Sequence, residues 1–595
     1  MSRSMSNADN FWLCMDDPTN LMVITAFMEF ETPVDLKRLR ATIETRLSSF
    51  PRFRKRVVRP ASGIGVPVWE DDPHYDIRSH ISRVALPTPG GKTELQEMVS
   101  DLMTTPLDPN KPLWQVHLIE NYGNGCVILF RIHHCIADGI ALVQVLLAAA
   151  DTEPDAPWPE DLPEPQKRTS AFDVNWPLIG LVKRVQNATE TGRKLGLRLV
   201  EEVGKSFLQW NHFLEWGRKG SEVTTEVGKV LSELMLMPSD PATAFKGGLG
   251  VRKCAAWTDP IPLETIKRVG HAIHGATIND VLISSVSGAM RRYLETRNYP
   301  VNKLDLRVLV PVNIRKPGTE TELGNKFSLV FLPLPVYIED PVLRLQEVKR
   351  RMDRLKTSPD AVVIFTLLSV VGVLPPYLAK TVLPFFSNKA SAVLTNVPGP
   401  RQPLYFAGEK IHNMMFWVPR AGNIGLGISI LSYDGKVTVG LAADEGLMPD
   451  AEVLLEGFES EFSHLLDLVD SGKIEHEPLV LHDRYQETRC KGLTKNGQQC
   501  RRRAAPGSQY CSLHGGNEPW EAVILEEHGE VERKKETYPE ASETQPMQCQ
   551  AVTQSGRQCK RQAIPGSRYC RTHQPQVKEE DIHELASILK ELSGR

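Results

Sequence analysis

Residues 126–134, CVILFRIHH, run almost wholly apolar into two adjacent histidines, and an Asp-Gly pair follows at 138–139. A run of this kind predicts a strand buried on both faces. Upstream, PLWQVHLIE (112–120) and the turn-forming NYGNG predict its hairpin partner. Downstream, GIALVQVLLAAA (139–150) predicts a helix that Asp138 is placed to cap. Strand, short loop and helix therefore meet at His133 and His134, and histidine is costly at an apolar strand end unless something uses it.

The remaining chain repeats the same alternation. NLMVITAFMEF (20–30) predicts a strand and DLKRLRATIETRLSSFP (35–51) a helix. Five prolines and six acids between Asp151 and Pro165 mark a linker. From 170 to 235 a basic amphipathic helical pattern suits either the protein's own surface or a membrane face. A second folded half opens near 250, where ATINDV leads into a helix. Strands are predicted at 306–315, 327–336 and 391–400, and a hairpin turning at Asp434-Gly435 at 423–444. Two α/β layers facing each other follow from this order. The 595 residues exceed what one core organises, and a net charge of −3 offers no global attraction for nucleic acid or anionic lipid. Residues 361–379 carry no charge but are broken by Gly372 and Pro375-Pro376, which favours a buried or lipid-facing helix over a membrane span. The start, MSRSMSNADN, lacks a signal peptide's apolar region, so a cytoplasmic, reducing setting is expected, with possible peripheral contact with the membrane.

A neutral imidazole near working pH suits a general base that takes a hydroxyl proton during acyl transfer, an effect worth ~10²–10⁴-fold. In that reading one of the two histidines at the strand end is the base and Gly139 admits close approach of a ligand, while Asp138 orders the loop. Two hydrogen-bonded core histidines and a capping aspartate would leave the same pattern.

HHCIADG resembles the HHxxxDG signature of the acyltransferase superfamily that includes chloramphenicol acetyltransferase, carnitine acyltransferases and the condensation domains of peptide synthetases. Pro112-Leu113-Trp114, Asn279-Asp280, VPVNIR (310–315), GNKFS (324–328), TNVPGP (395–400) and SYDGKVTVGLAAD resemble stretches of one branch, the bacterial wax ester synthase/diacylglycerol acyltransferase family. The likeness runs from about residue 6 to 472. It implies two chloramphenicol-acetyltransferase-like lobes, 1–150 and 246–475, joined through 151–245, with the active site in a tunnel between them. It also implies His134 as base, His133 as support, Asp138 as structural and Gly139 on the acceptor side. Asn279 and Asp280 would lie near the reacting centre, and Pro112, Leu113 and Trp114 on the substrate side. For Asn279 a helix-cap role competes. Acyl-CoA would be the co-substrate, a long-chain alcohol or diacylglycerol the acceptor, and catalysis would need no cofactor. Arg291, Arg292 and Arg297 are candidates for the CoA phosphates, although a solvated helix face explains them equally.

From 476 the composition turns polar, and CKGLTKNGQQCRRRAAPGSQYCSLH (490–514) recurs as CQAVTQSGRQCKRQAIPGSRYCRTH (549–573), with 13 of 25 positions identical. Cys490, Cys500, Cys511 and His514, then Cys549, Cys559, Cys570 and His573, give two Cys₃His sets that suit tetrahedral zinc. These knuckle-like repeats (486–516 and 546–575), followed by an amphipathic tail helix at 576–595, fall outside the family pattern. Their arginines, with Tyr510 and Tyr569, suit nucleic acid or a protein partner. A second reading therefore makes the chain a zinc-knuckle adaptor with a degenerate acyltransferase lobe. A third gives the enzyme a different acceptor.

Overall fold

The computed structural model describes residues 3–154, 156, 237–313, 323–355 and 387–473, apart from 61–64, 274, 326 and 421. Most of the acidic linker, the 170–235 segment, the apolar 361–379 segment, both cysteine repeats and the tail lie outside the described residues.

Helix α1 (Asn7–Cys14) starts on Ser6, whose hydroxyl accepts from the Asp9 N–H. Strand β1 (Val23–Phe30) leads to helix α2 (Leu36–Thr42). Strand β2 (Ile81–Ala85) and helix α3 (Lys92–Thr104) precede the expected hairpin, β3 (Trp114–Tyr122) and β4 (Gly125–His133). Every residue of β4 is buried, as its apolar run requires. Helix α4 (Gly139–Ala149) follows, and the Asp138 side chain accepts from the Ala141 N–H at 3.0 Å.

The second half supplies β5 (Lys253–Trp257), helices α5 (Leu263–Ala272) and α6 (Ile278–Glu295), strands β6 (Leu306–Asn313) and β7 (Phe327–Leu334), and helix α7 (Pro341–Leu355). Strands β8 (Ala392–Pro398), β9 (Asn413–Trp417), β10 (Leu426–Tyr433) and β11 (Lys436–Asp444) and helix α8 (Ala451–Asp470) complete it. Asp434 and Gly435, both at positive φ (46° and 72°), form the turn between β10 and β11.

The second sheet runs β7-β6-β8-β10-β11-β5, with Ile261–Pro262 as a short extra strand on β11. The first runs β9-β1-β4-β3-β2. Its outermost strand, β9, comes from the other half of the chain and pairs antiparallel with β1, Trp417 opposite Thr25. Without β9, β1 would be an exposed apolar edge, which folded proteins avoid. The exchange ties the lobes together, because β9 also packs on the second sheet. At Gly440 of β11 a Cβ would lie 2.3 Å from Met415 Cε and 2.9 Å from Trp417 Nε1, so any larger residue would push these β9 side chains aside. Phe27, Trp257 and Trp417 fill this seam with ring centroids 5.0–5.8 Å apart. No helix among the described residues is long and apolar enough to cross a membrane.

Candidate active site

Strand β4 ends at His133, which pairs with Val23 of β1, and the His134 N–H bonds the Met22 carbonyl at 2.7 Å. Both imidazoles are 4 % exposed, yet their surroundings differ. His133 Nδ1 accepts the Cys135 N–H at 3.1 Å, and Nε2 lies 3.8 Å from Asp16 Oδ1. Burial works against a charge on this ring, whereas Cys135 and Asp16 favour one and together raise its pKa. The Cys135 N–H points at Nδ1, so in the neutral ring the proton sits on Nε2, toward Asp16. Asp16 in turn accepts the Met22 N–H at 2.7 Å.

His134 stacks on Trp12 at a ring separation of 4.2 Å and tilts against Phe327 at 5.6 Å. Burial is the largest influence on it and pushes its pKa down to about 4; neighbouring His133 adds to the drop, and Asp138 opposes it. The ring is therefore neutral at physiological pH, in the state a general base requires. Its Nδ1 is sealed without a hydrogen-bond partner.

A polar clamp holds the backbone around this ring. Asp9 of α1, fully buried, accepts Arg52 Nη2 at 2.8 Å, the Asn325 N–H at 3.0 Å and Asn325 Nδ2 at 2.8 Å. Asn325 Nδ2 also donates to the His134 carbonyl at 2.9 Å, and Arg52 Nη1 donates to the Ile136 carbonyl at 2.6 Å. Strand end, α1 and the segment before β7 are thus locked to one loop. The stretches SNADNFWLC and GNKFS contain Asp9, Trp12 and Asn325 but give no sign of these roles, because the contacts span up to 316 positions. Arg52 carried no sequence signal.

His134, Asp138 and Gly139 line a cavity of about 680 Å³ between the lobes. The second half supplies its other walls, chiefly Leu309, Phe327, Leu329, Val393, Asn396, Phe416 and Val418. Asn279 lines a neighbouring cavity of about 940 Å³ instead. Asn396 lines both, and its Nδ2 donates to Asn279 Oδ1 at 2.5 Å, so Asn279 reaches the histidine cavity only through Asn396. The α6 cap is Thr277, not Asn279. Asp280, expected near the reacting centre, is turned inward: its Oδ2 accepts the Thr277 N–H and hydroxyl, each at 2.8 Å, and closes the capping box.

Pro112, Leu113 and Trp114, expected on the substrate side, line neither cavity. The Leu113 carbonyl accepts the His133 N–H at 2.9 Å, and buried Trp114 donates Nε1 to the Phe53 carbonyl and stacks on His80 at 4.3 Å. The triplet anchors β3 against the histidine strand, since a buried indole must both pack and donate. Arg291, Arg292 and Arg297 pair with Glu295, Glu461 and Asp450, so the candidate phosphate cluster is occupied by the protein's own carboxylates. Among the described residues no group of three or more His, Cys, Asp or Glu side chains forms a metal site, and Cys14, Cys126, Cys135 and Cys254 form no disulfide. The eight proposed zinc ligands lie outside the described residues.

Two family models match this arrangement. The wax ester synthase/diacylglycerol acyltransferase catalytic domain matches residues 5–282, and the WS/DGAT C-terminal domain matches 323–466, together more than two-thirds of the chain. The chain belongs to the wax ester synthase/diacylglycerol acyltransferase family. It is an acyltransferase of that type. Among its relatives is a Mycobacterium tuberculosis (H37Rv) protein named a probable diacylglycerol O-acyltransferase, tgs1, 29 % identical over 76 % of this chain and 93 % of that protein. The fold is similar to that of a wax ester synthase/diacylglycerol acyltransferase from Marinobacter aquaeolei VT8, with a TM-score of 0.55 and 21 % identity over 79 % of this chain and 99 % of that one. The first condensation domain of the calcium-dependent antibiotic synthetase is similar in fold at a TM-score of 0.50 and 15 % identity, over 78 % of this chain and 97 % of that one. Both family models end before residue 490, where the cysteine repeats begin.

Proposed function

We propose that this enzyme transfers a long-chain acyl group from acyl-CoA to the hydroxyl of diacylglycerol or a long-chain alcohol, with His134 as general base. The observation that carries this reading is a neutral imidazole, fixed by backbone bonds on both sides and by a Trp12 stack, at the wall of an apolar interlobe cavity. Because Nδ1 is sealed, Nε2 is the nitrogen that meets the acceptor. It takes the hydroxyl proton as the oxygen attacks the thioester carbonyl. The tetrahedral intermediate then collapses, the C–S bond breaks, and the imidazolium returns the proton to the leaving CoA thiolate. Ester and free CoA result.

Asn396 is the amide side chain that lines the histidine cavity and Asn279 its orienter, a refinement of the role expected for Asn279. A developing oxyanion gains ~10²–10³-fold from one well-placed donor. Water exclusion, which the apolar walls supply, protects the thioester from hydrolysis. A further cavity of about 500 Å³ shares Phe416 with the site and is lined almost wholly by apolar side chains, among them Met28, Phe130, Leu146, Met414 and Met415. Its chemistry suits a hydrocarbon chain, and its methionines can repack around chains of different length.

Two finer readings rest on sequence alone. The Cys₃His repeats are proposed to hold one zinc each, and about two zinc per purified full-length chain by elemental analysis would support this. Peripheral contact with a membrane or lipid droplet follows from the lipid acceptor, and vesicle flotation tests it. Acyl transfer itself is tested by incubating the purified protein with palmitoyl-CoA and either diolein or hexadecanol and following free CoA.

A further inference from the structure

Next to the histidine cavity, and sharing Val418 and Pro419 with it, lies a second space of different chemistry. Thr25, Thr104, Lys253, Trp417 and Arg420 line it. Arg420 is 7 % exposed, and its Nη1 is buried with no hydrogen-bond partner. Trp417 also lines it, with its buried and unpartnered Nε1 against Gly440 of β11. Lys253 is already neutralised: its Nζ pairs with fully buried Asp444 and donates to the Gly250 carbonyl. Asp444 also accepts the Gly250 and Gly446 N–H groups. One carboxylate, Asp444, therefore faces two cations, Lys253 and Arg420, which leaves one positive charge in excess, and the orphan Arg420 Nη1 meets no orphan acceptor among the residues lining the same space. A buried cation that is only partly compensated and an unmet donor are costly, and folded proteins keep them where a ligand completes them. An acceptor-rich, anionic ligand is what this wall lacks.

We propose that this space binds the phosphate-bearing arm of the CoA thioester and that Arg420 is a binding residue for it. The proposal rests on the acyl-CoA reading above for the identity of the ligand. It gives the site a division of labour: a donor-lined mouth for the CoA arm, the His134 cavity for the thioester carbonyl, and apolar space past Phe416 for the chain. Arg291, Arg292 and Arg297, on and just after α6, are paired, whereas Arg420 is indistinguishable in sequence from any surface arginine.

Three measurements on the full-length protein test the proposal. For Arg420→Met, KM for palmitoyl-CoA should rise about 10- to 100-fold, the loss expected for a charged hydrogen bond, with little change in kcat. KM for palmitoyl-N-acetylcysteamine, which lacks the phosphates, should not move. Calorimetric binding of free CoA, which needs no turnover, should weaken by the same factor, and Arg420→Lys should recover part of it. Thermal stability should hold or rise in Arg420→Met, since an unpaired buried charge has been removed. An unchanged KM for palmitoyl-CoA, an equal loss with both thioesters, or a marked fall in stability would overturn the proposal and make Arg420 structural. If the wild type consumes no thioester, the functional reading fails separately, and the CoA calorimetry still decides the site.

Discussion

Replacing Asn325 tests whether the clamp, rather than the histidine alone, makes the site. Asn325 Nδ2 bonds both the buried Asp9 carboxylate at 2.8 Å and the His134 carbonyl at 2.9 Å. Asn325→Ala loses one charge-assisted bond, worth ~1.5–3 kcal/mol, and one neutral bond, worth ~0.5–1.5 kcal/mol. Its Oδ1 is buried without a partner, and removing that atom relieves part of the loss. A net destabilisation of about 2 kcal/mol is therefore expected in chemical denaturation. Asp9 keeps its bonds to Arg52 and to the residue-325 N–H, so the fold survives. Activity should suffer more than stability suggests, because a base displaced by about 1 Å loses on the order of 10²-fold in kcat. Asn325→Asp should be worse still, since it sets a second carboxylate against Asp9. Free-CoA release measured on both variants, at a temperature where both are folded, checks the ranking. If both retain kcat within about threefold, the clamp does not position His134.

The depressed pKa of His134, about 4, has two consequences. The acidic limb of kcat/KM should lie well below the ordinary histidine value of about 6.5, and a limb near 6.5 would refute the buried neutral base. Stability should also fall as pH drops from about 6.5 toward 4, because the unfolded chain takes up the proton and the folded chain does not; His117, lowered to about 4 mainly by burial, adds to the same slope. Denaturation midpoints across that window measure it. Asn396→Ala should reduce kcat by ~10²-fold and Asn279→Ala by less, as expected for a donor and its orienter; the reverse order would return the direct role to Asn279. Phe416→Ala should shift acyl-CoA preference toward longer chains and Ala26→Leu, at another wall of the same apolar cavity, toward shorter ones, read from kcat/KM over a chain-length series. Parallel losses at every length would mean that the apolar cavity holds no substrate.

Much of the fold was legible in local pattern. The β3–β4 hairpin, the α4 helix, the β6 and β7 strands and the Asp434-Gly435 turn carry their signals in consecutive residues. Strand β9 carried none: NMMFW is short, does not alternate, and becomes a strand only because β1 has an apolar edge to cover. The site divided in the same way. His133, His134 and Asp138 stand together in sequence and in space. Asp9, Arg52, Asn325 and Asn396 take their places through long-range contact, which periodicity does not encode. Trp114 and Asp280 show the converse, since prominent residues of recognisable motifs turned out to be holding a strand and a helix end.

The central claim is that His134 is the base of an acyl-CoA-dependent O-acyltransferase. Steady-state release of CoA from palmitoyl-CoA, with diolein or hexadecanol as acceptor, tests it most directly when wild type and His134→Ala are compared. The account predicts acceptor-dependent CoA release by the wild type, with ester formed in equal amount, and a drop of ~10²–10⁴-fold in the variant. Release that does not depend on either acceptor, or a His134→Ala enzyme that keeps the wild-type rate, would contradict it.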